Sequence, residues 1–393
     1  MSGRAPLRLA MVGGGPGSFI GPVHRMAAEL DGRIRLTAGV FSRDPAKNAQ
    51  AAADWGVAPD RVYPDHHAMI AAERGRDDGV DLVSVVTPNH LHFDVAAAAL
   101  KGGLHVISDK PATLNLAQAR DLAEIVAASG KRYGLTYTYT GYPMVREARE
   151  IVARGDLGAV RKVVVEYSQG WLSRPLERED NKQASWRSDP SQSGVGGCIG
   201  DIGVHAFNIA EFITGRRVER LCADVAAVVP GRDLDDDCNV LLRFEGGARG
   251  VLIASQISAG ARNGLRISVY GETGGLTWGH EDPNVLNLDW LDGPSQVLHA
   301  GSAYLGVGAR AVTRLPTGHP EGFIEAFANI YRDFADAILG QGDGRLVPDI
   351  AEGVRGMAFV ERAVAASRAD AGWVFLAAHR VEPGGIMQEG EGR

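Results

Sequence analysis

The sequence predicts an α/β protein of two domains: a parallel sheet wound from βαβ units, then an α/β domain with a large, mostly antiparallel open sheet. Three observations predict it. The 393 residues exceed one ordinary hydrophobic core. Up to about residue 140, short apolar runs alternate with helical segments. Beyond that point, longer strand-like runs succeed one another with only glycine-rich turns between them.

In the first part the strand runs are LRLAMV, LTAGVF, DLVSVVT, LHVIS and YGLTYTY. Their unbroken apolar character suits strands buried on both faces. Helices are expected over 45–55, 91–101 and 114–129. In the second part a helix is expected over 144–154. Strands are expected over 160–169, 218–229, 238–244, 249–258 and 265–270, with turns at EGGARG and GETGG. Helices over 321–339 and 349–367 close the chain. The expected division is 1–140, 141–378 and a flexible tail, 379–393.

Hydrophobic residues make up 45% and charged residues 23%, so disorder is not expected. The net charge of -7 is spread along the chain, which argues against nucleic acid as the main partner. No apolar stretch approaches the roughly 18 residues of a membrane helix, and no signal peptide is expected. Cys198, Cys222 and Cys238 form neither a CxxC pair nor a cluster with histidines, so no metal is expected. Reduced thiols suit a cytoplasmic protein.

MVGGGPGSFIG comes directly after the first strand. Gly13 and Gly15 form a GxG turn, and Ser18 occupies the third glycine position. Such a turn lets backbone N–H groups meet a pyrophosphate at a helix N-terminus. With a strand before it and a helix after it, the loop predicts a Rossmann dinucleotide-binding domain. Gly13, Gly15, Pro16, Gly17, Ser18, Phe19 and Ile20 are the cofactor candidates of this turn. The second strand ends in Ser42 and Arg43, where NAD-binding sheets usually place a carboxylate. A hydroxyl with a guanidinium favours the 2′-phosphate of NADP, and NAD remains open. Asp44 reads as the cap of the next helix.

Three further groups stand out. Thr87-Pro88-Asn89-His90-Leu91-His92 comes after the third strand, at a carboxyl end where open α/β sheets bind ligands. Asn89 also suits a helix cap. Ser108-Asp109-Lys110-Pro111 comes after the fourth strand, where a lysine can polarise a substrate oxygen. Gly200-Asp201-Ile202-Gly203-Val204-His205 sets a carboxylate and an imidazole four residues apart. On a helix these share one face and make a general-base pair. They equally suit a helix cap and a half-buried histidine.

The glycine loop, TPNHLH, DKP and DIGVH, in that order, resemble the family of glucose–fructose oxidoreductase, inositol 2-dehydrogenase and the rhizopine catabolism protein (Gfo/Idh/MocA). WRSDP at 186–190 resembles that family's approach to its catalytic helix, which draws in Trp186 and Arg187 as cofactor-binding candidates. The resemblance spans almost the whole chain. It implies that Lys110 contacts the reacting carbinol and the nicotinamide, that His205 exchanges the hydroxyl proton, and that Asp201 holds substrate. Thr87, Pro88, Asn89, His92 and Asp109 would lie near the cofactor. Asp109 departs from the family's glutamate and shortens that reach by one methylene. The implied reaction is reversible oxidation of a secondary alcohol of a sugar or polyol by NAD or NADP.

Two other functions are consistent with the same residues. One is a glycosidase that oxidises C3 transiently, with Tyr137, Tyr139 or Tyr142 as a base near C2. The other is a non-catalytic binding protein on this fold. WLSRPLEREDNK, with Trp171, Arg174, Arg178 and Lys182, is expected to overhang the second domain. Together with Arg187 it suggests an anionic sugar such as a sulfonate or uronate, although a solvated charged loop explains the same residues. A homodimer or homotetramer is expected through the open face of the second sheet.

Overall fold

The computed structural model describes residues 5–179 and 181–376, the Lys182 side chain excepted. The tail expected over 379–393 lies outside the described residues. In chain order the elements are β1 (Leu7–Gly13), α1 (Ile20–Glu29), β2 (Ile34–Val40), α2 (Pro45–Trp55), α3 (His66–Arg74) and β3 (Leu82–Val86). Then come α4 (His92–Lys101), β4 (His105–Ser108), α5 (Leu116–Ser129), β5 (Tyr133–Leu135), α6 (Pro143–Arg154) and β6 (Lys162–Ser168). Next are α7 (Lys182–Arg187), α8 (Pro190–Ser193), α9 (Val204–Thr214), β7 (Val218–Ala226), β8 (Asp237–Phe244), β9 (Arg249–Ser255) and β10 (Gly264–Tyr270). The chain ends with β11 (Gly274–Gly279), β12 (Val285–Trp290), β13 (Gln296–His299), α10 (Val307–Ala311), α11 (Phe323–Ile338), α12 (Ile350–Arg368) and β14 (Val374–Phe375).

Among the described residues, one compact unit comprises 5–138 and 323–354, the other 139–322 and 355–376. This corrects the division expected from the sequence, which left residues 323–354 with the second domain. The cause is the apolar face of α11. It buries Phe327, Ile330, Tyr331 and Phe334 in the same core as Leu9 and Met11 of β1 and Val23 of α1. Burial of such side chains is worth about 1.5–3 kcal/mol each, so α11 is a core element of the first unit.

The first unit is a parallel sheet of order β2-β1-β3-β4-β5. β3 is buried along its whole length, as expected for a central strand covered on both faces. Asp44 caps α2, and Asn115 caps α5 with its side chain on the Gln118 N–H. The fifth run is shorter than expected: β5 ends at Leu135, and Thr138–Gly141 form a 3-10 turn.

The second unit holds a nine-stranded sheet, β13-β12-β11-β10-β6-β9-β8-β7-β14, among the described residues. Its neighbours pair antiparallel except β6 with β9, which run parallel. β11 to β13 were not expected. Their short runs, rich in Gly, Asn and Asp, read as loop by propensity, and pairing to β10 makes them strands. Alternation sets Val163, Val165 and Tyr167 of β6 on the buried face, packed with α9, and leaves Val164 and Glu166 on the other. Among the described residues no helix is long and apolar enough to cross a membrane.

One polar group sits inside the first core. The His24 Nδ1 lies 2.7 Å from the Tyr331 hydroxyl, which lies 2.8 Å from the Ser84 hydroxyl. These three side chains join α1, α11 and β3. Burial lowers the His24 pKa from 6.5 to about 4, with Asp109 opposing and His92 adding to the shift. A depressed pKa means that the stability tied to neutral His24 is whole above pH 6.5 and is lost as pH falls toward 4. The gap corresponds to about 3 kcal/mol. Chemical denaturation should show that His24→Asn loses less stability than the parent over this window, by up to about that amount. Equal losses in both proteins would contradict the assignment.

Candidate active site

Each unit carries one cluster. In the first, β1 delivers the chain into the glycine turn. Gly13 and Gly14 adopt φ of +90° and +76°, which side chains resist. A Cβ on Gly21 would lie 2.0 Å from the Gly14 carbonyl oxygen, so turn and helix touch through backbone alone. Gly21, rather than Ser18, is therefore the close-packing position. Ser18 instead accepts the Gly21 N–H on its hydroxyl at 3.1 Å. Gly15 donates its N–H to the Phe41 carbonyl at 3.1 Å and is pinned to the end of β2. Pro16 and Gly17 are exposed, Phe19 is 68% exposed, and Ile20 opens α1. Its N-cap residue, Phe19, makes no side-chain cap bond, and its first turn holds no acidic residue. That end suits an anion such as a pyrophosphate.

Beyond β2, the Ser42 hydroxyl accepts the Asp44 N–H at 3.2 Å, and the Asp44 carboxylate caps α2. Arg43 is exposed. Beyond β3, Thr87 Oγ1 is buried without a hydrogen-bond partner among the described residues, which fits a polar ligand at this strand end. Pro88, not Asn89, holds the N-cap position of the turn Asn89–Leu91, so the capping expectation for Asn89 is overturned. His92 is 1% exposed, with Nδ1 2.6 Å from the Pro111 carbonyl and Nε2 2.8 Å from the Thr87 carbonyl. Both ring nitrogens are engaged by backbone, so His92 braces the TPN and DKP loops rather than presenting its ring to a cofactor. Asp109 Oδ1 accepts the Lys110 N–H at 2.8 Å and the Thr136 hydroxyl at 3.2 Å. Its carboxylate thus shapes the loop that carries the half-buried Lys110. Tyr137 is buried in this unit.

In the second unit, Asp201 and His205 do not share a regular α-helix. Asp201 sits in a π-helical turn, Ile199–Gly203, and His205 is the second residue of α9. Such turns recur at functional sites. The Asp235 carboxylate holds the turn's start by accepting the Gly197 and Ile199 N–H groups at 2.6 and 2.7 Å. Burial outweighs those bonds and raises the Asp235 pKa to about 6. Neither Asp201 nor His205 caps a helix: the cap positions are Cys198 and Gly203. Asp201 Oδ2 accepts from Gln256 Nε2 at 2.9 Å and pairs with Arg187 Nε at 3.4 Å.

Arg187 in turn lies over the rings of Trp186 (4.3 Å) and Trp171 (6.0 Å). This assigns Trp186 and Arg187 to the Asp201 cluster. His205, 9% exposed, meets Tyr139 edge-on at 5.0 Å and Tyr167 at 6.4 Å. Tyr139 bonds to Tyr167 through their hydroxyls. Tyr142 packs beside Tyr139. Burial first, partly offset by that hydroxyl bond, pushes the Tyr139 pKa up to about 12.

The residues of the charged loop and Arg187 lie in different surroundings. Arg174 is exposed, and Arg178 donates to the Pro230 carbonyl at 2.8 Å near the surface. The Lys182 side chain lies outside the described residues. Trp171 of that loop joins the cluster, and Arg187 beyond it faces a carboxylate. Sequence reasoning missed Tyr167, Gln169, Gln256, Asn263 and His280. His280 meets Tyr139 edge-on at 5.2 Å, and burial lowers its pKa. Alternation marks Tyr167 as inward-facing; the amides carry no such signal. Among the described residues no group of three His, Cys, Asp or Glu side chains is placed to hold a metal.

A parallel sheet with a glycine turn at its first helix, joined to a unit bearing a carboxylate and an imidazole, defines a nicotinamide-dependent oxidoreductase. The comparisons agree. Residues 7–137 match the oxidoreductase family with an NAD-binding Rossmann fold, and residues 145–277 match the GFO/IDH/MocA C-terminal domain. The chain belongs to the Gfo/Idh/MocA family. It is 33% identical to the oxidoreductase YfiI of Bacillus subtilis (strain 168), over 94% of this chain and 96% of that protein. It is 39% identical, with a TM-score of 0.90, to an inositol dehydrogenase homolog of Azotobacter vinelandii in complex with NAD+, covering 94% of this chain and 97% of that one. The same homolog in complex with NADH and myo-inositol gives a TM-score of 0.88 at 38% identity, with the same coverage.

The first-unit residues fit a dinucleotide through the glycine turn, the α1 terminus without acidic residues, and the buried Thr87 hydroxyl. A Cβ at Gly15 would lie 2.3 Å from the Phe41 carbonyl oxygen, so Gly15→Val must displace the turn. Millimolar NAD+ or NADH should raise the melting temperature of the parent protein and leave that of Gly15→Val unchanged. Equal thermal shifts in the two proteins would refute the assignment.

Proposed function

We propose that this enzyme interconverts a secondary alcohol and a ketone on an uncharged sugar or cyclic polyol. The observation that carries this is the second-unit cluster, where His205 stands among hydroxyls and amides suited to a polyol, beside an Asp201 whose charge is matched by Arg187. The nicotinamide, when bound, supplies the hydride acceptor or donor. His205 takes the hydroxyl proton. Asp201 orients the substrate through a hydrogen bond, its own charge fixed by Gln256 and Arg187. Lys110 stabilises negative charge on the reacting oxygen. The complex of the Azotobacter homolog with NADH and myo-inositol supports the substrate class.

Ser42 and exposed Arg43 leave room for the 2′-phosphate of NADP, and Asp44 is committed to its cap, so both cofactors are admitted. The C3-oxidation glycosidase is less well supported. It needs a base near C2, and Tyr139, held at about 12, is a poor one near neutral pH. Three free thiols suit a cytoplasmic enzyme.

Single-turnover hydride transfer tests the roles. Lys110→Ala and His205→Ala should each slow turnover by roughly two to four orders of magnitude, with cofactor affinity within a few-fold of the parent. Asp201→Asn should lose activity at an unchanged melting temperature, because Asp201 is no cap. Parent-rate transfer by His205→Ala would remove it as proton acceptor.

Assembly is read from the open face of the second sheet. Register aligns Cys222, Leu241, Val251 and Val164 in one apolar row, with Leu241 46% exposed. Arg220, Arg243, Arg249 and Lys162 flank it on one side; Asp224, Asn239, Ile253 and Glu166 flank it on the other. A second copy turned over along this row sets basic flank against acidic flank. Light scattering at micromolar concentration should give a dimer or tetramer mass, and a monomer mass would overturn this assembly.

A further inference from the structure

The amides and hydroxyls around His205 form one directed chain. Trp171 Nε1 donates to Gln169 Oε1 at 3.0 Å. An indole nitrogen can only donate, so Gln169 presents its carbonyl there and its amide nitrogen elsewhere. That nitrogen donates to Asn263 Oδ1 at 2.7 Å. Tyr167 Oη donates to the same Asn263 oxygen, also at 2.7 Å. Both lone pairs of Oδ1 are then filled, and the single proton of Tyr167 is committed. The bond between the Tyr139 and Tyr167 hydroxyls therefore has one direction: Tyr139 donates. Tyr139 Oη keeps only lone pairs for any other partner. A branch from Gln256 Nε2 reaches Gln169 Oε1 at 3.5 Å and Asp201 Oδ2 at 2.9 Å, so the same chain links the tyrosines beside His205 to Asp201.

We propose that Asn263 is a positioning residue, which fixes Tyr139 beside His205 as a hydrogen-bond acceptor for a substrate hydroxyl next to the reacting one. Trp171 sets the direction, Gln169 transmits it, and Asn263 gathers the two donors. Without the Asn263 oxygen, Tyr167 is free to donate to Tyr139, and Tyr139 then turns its own proton outward. The acceptor becomes a donor with no change in backbone. Tyr139 is well suited to this part, because burial keeps its phenol neutral and so in possession of the proton it must donate.

The inference rests on the polyol reading proposed above, and two measurements separate its failure from the failure of that reading. Neutron diffraction from the full chain, exchanged into deuterium oxide, needs no substrate. It should place the Tyr139 deuteron on the line to Tyr167 Oη and the Tyr167 deuteron on the line to Asn263 Oδ1. A Tyr139 deuteron pointing elsewhere overturns the proposal whatever the enzyme acts on.

The second measurement is kcat/KM with a polyol the parent turns over, chosen from a panel that includes myo-inositol. Asn263→Leu and Tyr139→Phe should each lower it about tenfold or more, and the double variant no further, since both remove one acceptor. Additive losses would mean that Asn263 acts independently of Tyr139 and would overturn the proposal. Asn263→Asp keeps both accepting positions and should recover activity to within about fivefold of the parent, even where Asn263→Leu folds poorly. An Asp variant as impaired as Tyr139→Phe also overturns it.

Discussion

Two backbone N–H groups on one buried carboxylate set the second unit's chemistry. Gly197 and Ile199 both donate to Asp235, and from Ile199 the chain takes a π-helical turn instead of an α-helical one. An added residue in a turn rotates the residues before it relative to those after it. Asp201 is thereby turned toward Gln256 and Arg187, while His205, already on α9, faces the tyrosines. A regular helix would stack the two side chains on one stripe. The π turn gives each its own surroundings: a charge-matched corner for the carboxylate and an aromatic wall for the imidazole.

Much of this was legible in the residues. The alternation of apolar runs and helices gave the parallel sheet, and the glycine turn gave its ligand end, because both are set by local sterics and period. What escaped has physical causes. Position 21 does the close packing that the spacing assigned to Ser18, since contact between Gly14 and Gly21 depends on how turn and helix fold back. β11 to β13 carry Gly, Asn and Asp and become strands only through partners. α11 was assigned to the wrong unit because an apolar stripe states that a helix is buried and not against what. Tyr167 was recoverable from the alternation of β6, but Gln169, Gln256 and Asn263 were not. Their value lies in which atoms meet, and a polar residue in or beside a strand gives no such signal.

Charge pairing shapes the surroundings of Asp201 next to the basic loop. Arg187, beyond that loop, joins the cluster, and there it meets Asp201 over two indole rings. A guanidinium beside a carboxylate retains little field for a second anion. Arg178 is drawn to a backbone carbonyl at the surface. The charge-matched corner around Asp201 supports the uncharged polyol reading proposed above.

The placement of α11 bears on how the chain is made. Residues 139–322 are synthesised between β5 and the helix that completes the first unit's core. At roughly 5–20 residues per second on a ribosome, the nascent sheet waits on the order of ten seconds or longer with Leu9, Met11 and Val23 short of their partners. During that interval the unfinished sheet exposes an apolar surface, a natural target for a chaperone. A chain released by premature termination before residue 323 would never bury that surface, whatever the state of its glycine turn.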